Sequence, residues 1–513
     1  MAFVNGTAGD DTLSGTAAAD SINGLAGDDI LKGLAGADAI NGGDGSDFAN
    51  YQDSAAGVTI DLLAGTGAGG SAEGDTLTSI ENIYASAFDD HLTGDDGRNI
   101  IGGWTGNDTI AGHGGDDVLA GEAGDDDLSG GDGNDRLVGA DGIDTIHGGI
   151  GNDSIDGGAG NDQVFGEDGN DSITGGTGDD HIDGGAGNDI IEADGGADAI
   201  IGGGGTDTAS YITSTAGVTV DLAAGTGLGG DAEGDTLTGI EQIYGSNLAD
   251  HLTGDAGDNQ LWGADGDDVL TGGAGADLFK GGAGSDLIFG EAGDDIIMGG
   301  DGADQIDGGA GNDYIVTGTG ADTIDGGEGV DTLSYAGSSV AVQVILFQPG
   351  SGRGDAAGDT WTGIERVVGT DFNDVIGGLP GGDNTIWGGA GDDAIRGYEG
   401  ADLLKGGAGN DTFGYGRVEE STVAASGRDT IADFATGDII QVRGIDADGN
   451  AANGDTAFTF GTGGFTGHAG ELRVVDFGDG RMSVNLDIDG DKSPDSIINV
   501  VSDHALTASD FVL

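Results

Sequence analysis

Cysteine is absent from this 513-residue chain, which excludes a disulfide scaffold and thiolate metal sites. Only 3 Pro accompany 116 Gly, so the glycine content is not collagen-like. Cations are scarce: 14 Lys and Arg stand against 94 Asp and Glu, a formal net charge of −80. That imbalance argues against binding nucleic acid or an anionic membrane through electrostatics. No apolar run is long enough to cross a bilayer; the longest lies around Val340 to Phe347. Met1 to Gly6 has neither the basic head nor the apolar stretch of a Sec leader. Hydrophobic residues make up 36%, many of them Ala, so a large conventional core is not expected.

What is abundant is aspartate. Of the 94 acidic residues 80 are Asp and 14 are Glu. A merely solvated acidic surface would use Glu as freely, so the bias needs a cause. It lies in a period of nine. Gly148-Gly149-Ile150-Gly151-Asn152-Asp153-Ser154-Ile155-Asp156 is followed by Gly157-Gly158-Ala159-Gly160-Asn161-Asp162-Gln163-Val164-Phe165. Each unit reads Gly-Gly-x-Gly-x-Asp, then polar, aliphatic, polar. The register divides the chain into repeat blocks 1–50, 85–210, 245–334 and 369–414. They are separated by insertions 51–84, 211–244 and 335–368, the first two near-copies of each other. The insertions alternate apolar and polar residues around Gly-rich turns and read as hairpins. Tyr51, Tyr211 and Tyr335 are expected to be their packing anchors, with a partner-specific surface as the alternative. After 415 the repeat stops, and 415–513 reads as a separate all-β domain. Its strand-like runs are Asp438 to Val442, Ala457 to Phe460, Leu472 to Val475 and Ser496 to Val500.

Glycines in the turn tolerate positive φ and let backbone carbonyls approach closely, and the Asp that ends the turn adds a carboxylate. Carbonyls and carboxylates are hard oxygen donors, which suit Ca²⁺ with its flexible coordination better than Mg²⁺. The three residues that follow form one short strand whose central aliphatic points inward: Ile146, Ile155, Val164, Ile173, Ile182. Stacked units predict a narrow parallel β-solenoid. Its like-charged carboxylates would repel one another, so folding is expected to require Ca²⁺.

The unit resembles the repeats-in-toxin (RTX, hemolysin-type) nonapeptide, and the match covers more than half of the chain. The resemblance implies an all-β parallel β-roll with two units per turn, many bound Ca²⁺ ions between turn loops, and the sixth-position Asp as a ligand. Carried onto this sequence, the ligands are Asp11, Asp29, Asp38, Asp47, Asp108, Asp117, Asp126, Asp135, Asp144, Asp153, Asp162, Asp171, Asp180 and Asp189. Later blocks add Asp268, Asp277, Asp286, Asp295, Asp304, Asp313, Asp322, Asp331, Asp393, Asp402 and Asp411. Asn99, Asn259 and Asn384 replace the Asp in the second unit after each insertion, so those sites are expected to be weak or absent. Ala18 takes a Gly from the unit ending at Asp20, which puts that site in doubt.

The last hundred residues resemble the β-sandwich-like C-terminal domain of serralysin-type metalloproteases, through Gly427-Arg428-Asp429-Thr430-Ile431-Ala432-Asp433-Phe434 and Ala508-Ser509-Asp510-Phe511-Val512-Leu513. That resemblance implies an uncleaved C-terminal signal read by type I secretion machinery, hence an extracellular or cell-surface location. Asp487-Ile488-Asp489-Gly490-Asp491 with Asp495 looks like another acidic Ca²⁺ loop, but Lys492 stands where an EF-hand loop wants Gly, so a plain surface turn is favoured with a bound ion as the alternative. The seven His are scattered, with no pair at ligand spacing. No His-Glu-x-x-His, Gly-x-Ser-x-Gly or Cys nucleophile is present. The expectation is therefore a non-enzymatic, secreted calcium-binding protein of structural, surface-layer or adhesive type, with extracellular polysaccharide or the cell surface as its partner. The alternative is an extracellular glycan-acting enzyme, epimerase- or lyase-like, with an unrecognised site.

Overall fold

The computed structural model describes residues 2–192, 194–449 and 456–513, in two compact units, 1–254 and 255–513. Among the described residues every regular element is a β-strand or a single 3₁₀ turn. Each unit of the chain is built as the nine-residue period dictates.

In the first unit a strand pairs in parallel with the strand 18 residues later, so two nonapeptides make one turn. Thr145–Ile150 lies on Gln163–Asp168 with Ile146 opposite Val164, and Ser154–Ala159 lies on Ser172–Thr177 with Ile155 opposite Ile173. Alternate nonapeptides feed two separate parallel sheets. In each strand the central aliphatic points between the sheets and its neighbours point out. Ile146, Val164 and Ile182 are fully buried on one sheet, and Ile155 and Ile173 on the other. The core is thus one aliphatic side chain per strand. It is too thin to hold the fold by apolar burial alone.

The insertions are hairpins, as their alternation predicts. Thr59–Asp61 runs antiparallel to Thr66–Ala68, and Thr219–Asp221 to Thr226–Leu228. Both ends of the insertion are also woven into the roll. Thr76–Thr78 stacks in parallel on Ala39–Asp44, and Thr59–Asp61 on His91–Thr93. The opposite sheet passes straight through, Phe48–Asn50 pairing directly with Asn82–Tyr84.

The second unit repeats this plan and carries the third insertion, whose Gln343–Ile345 stacks on Val375–Gly377. The sequence boundary at 415 is not a break in hydrogen bonding. Thr430–Phe434 continues the parallel ladder from Leu403–Ala408, and Ile439–Gln441 continues it from Thr412–Gly414. The reason is local: Asp429-Thr430-Ile431 and Asp438-Ile439-Ile440 keep the Asp-x-aliphatic end of the repeat after its glycines are gone. Antiparallel strands Glu471–Asp476, Arg481–Asp487 and Ser496–Ser502 then complete one of two facing sheets around Leu472, Val484, Leu486 and Ile498.

Candidate metal centres

In the open nonapeptides the turn is typically set by residues at positive φ in the second and fourth positions, such as Gly149 (φ 113°) and Gly151 (φ 143°). The turn delivers the sixth-position Asp to the inner edge of the roll, where Asp144, Asp153 and Asp162 are buried. Its two carboxylate oxygens have different environments. Oδ1 accepts the backbone N–H of the Asp one turn earlier: Asp135 donates to Asp153 at 2.7 Å, Asp153 to Asp171 at 2.8 Å and Asp171 to Asp189 at 2.8 Å. A continuous ladder results along each edge.

Oδ2 is left over. It is buried and finds no hydrogen-bond partner among the described residues in Asp29, Asp38, Asp47, Asp108, Asp117, Asp126, Asp135, Asp144, Asp153, Asp162, Asp171, Asp180 and Asp189. The same holds in the second unit for Asp277, Asp286, Asp295, Asp304, Asp313, Asp322, Asp331, Asp393 and Asp411. Asp268 lies in the same ladder, its N–H donating to Asp286. A buried polar atom without a partner costs free energy, and a native fold does not repeat that cost without compensation.

The space beside the orphaned oxygen is kept open by the first glycine of the unit. A Cβ on Gly148 would lie 2.5 Å from Oδ2 of Asp153 and 2.7 Å from the carbonyl oxygen of Gly166, and one on Gly184 would meet Asp189 and Gly202 at 2.5 and 2.7 Å. A carboxylate oxygen and a carbonyl oxygen of the next turn therefore converge on one pocket from which side chains are excluded.

The fifth position provides an internal control. Its side chain also accepts a backbone N–H one turn away, as in Asn152 to Asn134 at 2.7 Å and Asn134 to Asp116 at 3.0 Å, but on the exposed rim. One oxygen is enough there, and Asn107, Asn134, Asn152, Asn161, Asn170 and Asn188 serve. The ten units from Gly103 to Glu192 have no Asn at the sixth position. Only the second oxygen separates the two requirements.

Where the sixth position lacks an open oxygen, the second residue of the unit supplies the reason. Thr7 N–H donates to Asp11 Oδ2 at 2.5 Å, Thr16 to Asp20 at 2.7 Å, Ser86 to Asp90 at 2.7 Å, Ser246 to Asp250 at 2.6 Å and Thr370 to Asp374 at 2.6 Å. Asn99 closes its own site as well. Its Oδ1 accepts Asp95 N–H at 2.7 Å and its amide donates to the Glu81 carbonyl at 2.7 Å. In many open units a non-glycine residue holds positive φ instead, including Leu25, Trp104, His113, Glu122 and Glu167. For an L-residue this conformation costs about 1–2 kcal/mol. Glu122→Gly is accordingly expected to raise unfolding stability in Ca²⁺ by about 1 kcal/mol. Denaturant melts of the pair check it, and a destabilised variant would contradict the account.

The sequence reading missed several members of the ladders. Asp198 and Asp207 belong to them with buried, unpartnered Oδ2 atoms. Each insertion contributes an Asp and a Glu: Asp75 Oδ1 accepts Asp38 N–H at 2.8 Å, and Glu81 accepts Asp47 N–H at 2.9 Å. Asp235 and Asp359 repeat the first bond, Glu241 and Glu365 the second. The buried Tyr51, Tyr211 and Tyr335 donate their hydroxyls to the remaining oxygens of Asp75, Asp235 and Asp359, which gives these tyrosines a role beyond packing. Asp429 and Asp438 extend the ladders past 415 by accepting Asp402 and Asp411 N–H. For Asp207 the usable signal was the intact repeat, Gly202-Gly203-Gly204-Gly205-Thr206-Asp207, and for the insertions it was Asp-polar-aliphatic without its glycines, as in Asp75-Thr76-Leu77.

Burial is the main electrostatic influence, opposed next by the backbone N–H that each carboxylate accepts, with neighbouring carboxylates after that. It pushes Asp108, Asp117, Asp144 and Asp153 up to about 7, helped by aspartates one turn away. In the second unit Asp295, Asp322 and Asp393 reach about 7 for the same reasons. Asp429 is raised by burial and by the charge of Asp402, which burial raises in turn. The Asp487, Asp489 and Asp491 cluster differs: Asp487 spends its oxygens on Gly490 N–H at 2.7 Å and Lys492 N–H at 3.1 Å.

Stacked carboxylate and carbonyl oxygens, buried and short of positive charge, define a β-roll whose edges suit hard cations, the donor set that Ca²⁺ takes. The chain belongs to the RTX calcium-binding nonapeptide repeat family, whose model matches 5–49, 76–209, 244–306 and 307–337 in overlapping stretches that make up just over half of the chain. Residues 364–513 match the C-terminal domain of the M10 serralysin peptidases. No curated protein matches. Among solved structures, the chain is similar to the AlgE6 R2 subunit of the mannuronan C5-epimerase of Azotobacter vinelandii, at 25% identity over 28% of this chain and 89% of that one, with a TM-score of 0.21.

Proposed function

We propose that the chain is a non-enzymatic protein that is exported unfolded through its C-terminal region and folds on Ca²⁺ outside the cell, as a structural, surface-layer or adhesive component. The observation that carries this reading is the column of buried, unpartnered Oδ2 atoms beside side-chain-free pockets. The open sixth-position aspartates are the residues that would hold Ca²⁺, together with carbonyl oxygens of the adjoining turn. Bound Ca²⁺ supplies positive charge that cancels the repulsion between stacked carboxylates. Asp11 is set apart from the other candidates, since Thr7 already caps its second oxygen.

The clefts support a non-catalytic role. One cleft of about 450 Å³ is lined by Ala17, Leu34, Ala35, Ala55 and Ala56 together with Tyr51, Asn50 and two serines, and its acid, Asp53, pairs with Lys32 at 2.7 Å. Ion counting by native mass spectrometry during a Ca²⁺ titration, with localisation to culture supernatant or cell surface, tests the reading. A chain that binds no Ca²⁺, stays inside the cell, or turns over alginate-type polymers would overturn it.

The fifth and sixth positions make a paired test. Asp153→Asn is expected to lose one ion and about 1–2 kcal/mol of stability at millimolar Ca²⁺, if sites bind at about 10⁻⁴ M. Asp116→Asn, at a rim position where Asn already serves elsewhere, should change neither. Equal losses from the two substitutions would refute the division of labour between the oxygens.

A further inference from the structure

In the second unit, eight strands stack in parallel one after another: Gln260–Asp265, Leu278–Ala283, Ile296–Asp301, Tyr314–Thr319, Thr332–Ser334, Arg366–Val368, Thr385–Ala390 and Leu403–Ala408. The second residue of each is core, and the first and third lie on the outer face. None of these outward positions is Asp or Glu, in a chain with 94 acidic residues. The opposite sheet of the same unit does carry acids at the equivalent positions, Asp307 and Asp325. An acid-free strip is the exception that the composition does not explain.

The strip is furnished with rings and cations. Trp262, Tyr314 and Trp387 fall on its first, fourth and seventh strands, about 14 Å apart at the usual strand spacing. Lys280 Nζ lies 5.4 Å from the Trp262 ring centroid, and Lys405 Nζ lies 4.9 Å from that of Trp387. Arg366 stands between them, beside a shallow cleft of about 240 Å³ that Tyr314 and Trp387 also line. Tyr314 is 37% exposed and Trp387 45%. The nearby acid, Asp433, has its oxygens taken by the N–H groups of Gly406 and Gly407, at 3.0 and 3.1 Å.

We propose that this strip docks a linear acidic polysaccharide, one whose sugar rings carry carboxylates. Shape and charge together select this occupant. The acid-free part is about 34 Å long but only about 10 Å wide, since it comprises the first three residues of each strand, and exposed Asp265 and Asp301 stand at the far ends of the first and third strands. A stable protein partner needs roughly 800 Å² on each side, which a ribbon of that width does not offer, so a second copy of the chain is disfavoured. An extended polymer fits it. Exposed rings stack on the apolar faces of sugars, and the interleaved Lys and Arg pair with carboxylates. Duplex nucleic acid carries one charge per about 1.7 Å, far denser than a polymer with at most one carboxylate per sugar ring, so the overall −80 of this chain opposes it more strongly. The proposal deepens the adhesive reading above by naming what is held.

The test uses the full chain folded in Ca²⁺ and calorimetric titration with hyaluronate and with short oligogalacturonates. Both are expected to bind, neutral dextran is not, and added salt should weaken the affinity. Trp387→Ala combined with Lys405→Ala should weaken binding by about tenfold or more. Lys405→Arg should retain it, as should Phe289→Ala on the opposite sheet. Circular dichroism on the same samples confirms that each variant is folded. The proposal falls if neither uronate polymer binds, if the double variant binds as tightly as the parent, or if the strip instead governs binding to anionic vesicles, duplex DNA or another copy of the chain. A chain that is exported and folds on Ca²⁺ yet ignores the polymers overturns this inference alone. One that fails to fold on Ca²⁺ overturns the functional reading beneath it.

Discussion

Chelating Ca²⁺ at neutral pH is expected to abolish most of the β-sheet circular dichroism of the folded chain. More than twenty buried carboxylate oxygens have no partner among the described residues, and they stack in columns along the roll. An uncompensated buried charge costs several kcal/mol, while a whole domain is stable by only about 5–15 kcal/mol. A handful of ionised, metal-free sites therefore exceeds what one aliphatic side chain per strand provides. The residual signal should come from the last hundred residues, where Leu472, Val484, Leu486, Ile498 and Val500 form a denser core and Glu471 pairs with Arg473 at 2.9 Å. Re-addition of Ca²⁺ should restore the spectrum cooperatively. An unchanged spectrum in chelator would refute the coupling of metal to folding.

Acidifying the metal-free chain is expected to do the opposite of what acid does to most proteins. The sixth-position carboxyls that burial raises to about 7 in the folded roll return to the ordinary range near 4 when it unfolds. Between those limits the folded state binds more protons than the unfolded one, so stability falls as pH rises and is lowest above 7. In chelator, β-structure should thus be gained on going from pH 8 to pH 5. With Ca²⁺ present the sign reverses, because protons compete for the same oxygens, and more Ca²⁺ should be needed to fold the chain at pH 5 than at pH 8. Greater metal-free order at pH 8 than at pH 5 would refute the electrostatic account.

Much of this was legible in the linear pattern because an RTX unit is a local structure. The nine-residue period fixed the aliphatic that becomes core and the Asp that reaches the inner edge. Three substitutions in the pattern, Asn99, Asn259 and Asn384, marked units in which the sixth side chain is capped by its own turn. Less legible was the distinction between open and closed aspartates. Asp11 and Asp153 hold the same sixth position, yet Thr7 turns its N–H onto one while Gly149, at positive φ, leaves the other free. That outcome depends on a backbone angle at the second position, for which Gly, Trp104, His113 and Glu122 all serve.

The sequence by itself determined the class of fold, the kind of ligand and the absence of a large core, since all three follow from residue types at fixed short spacing. The tertiary structure decided which oxygens are orphaned, how Asp75 and Glu81 take over the ladders inside an insertion, and that the ladders run on past 415. It also placed Trp262, Tyr314, Arg366 and Trp387 on one acid-free face. Residues 18 or more apart become neighbours only when the roll closes a turn, so a periodic pattern predicts the repeat but not what accumulates along its faces.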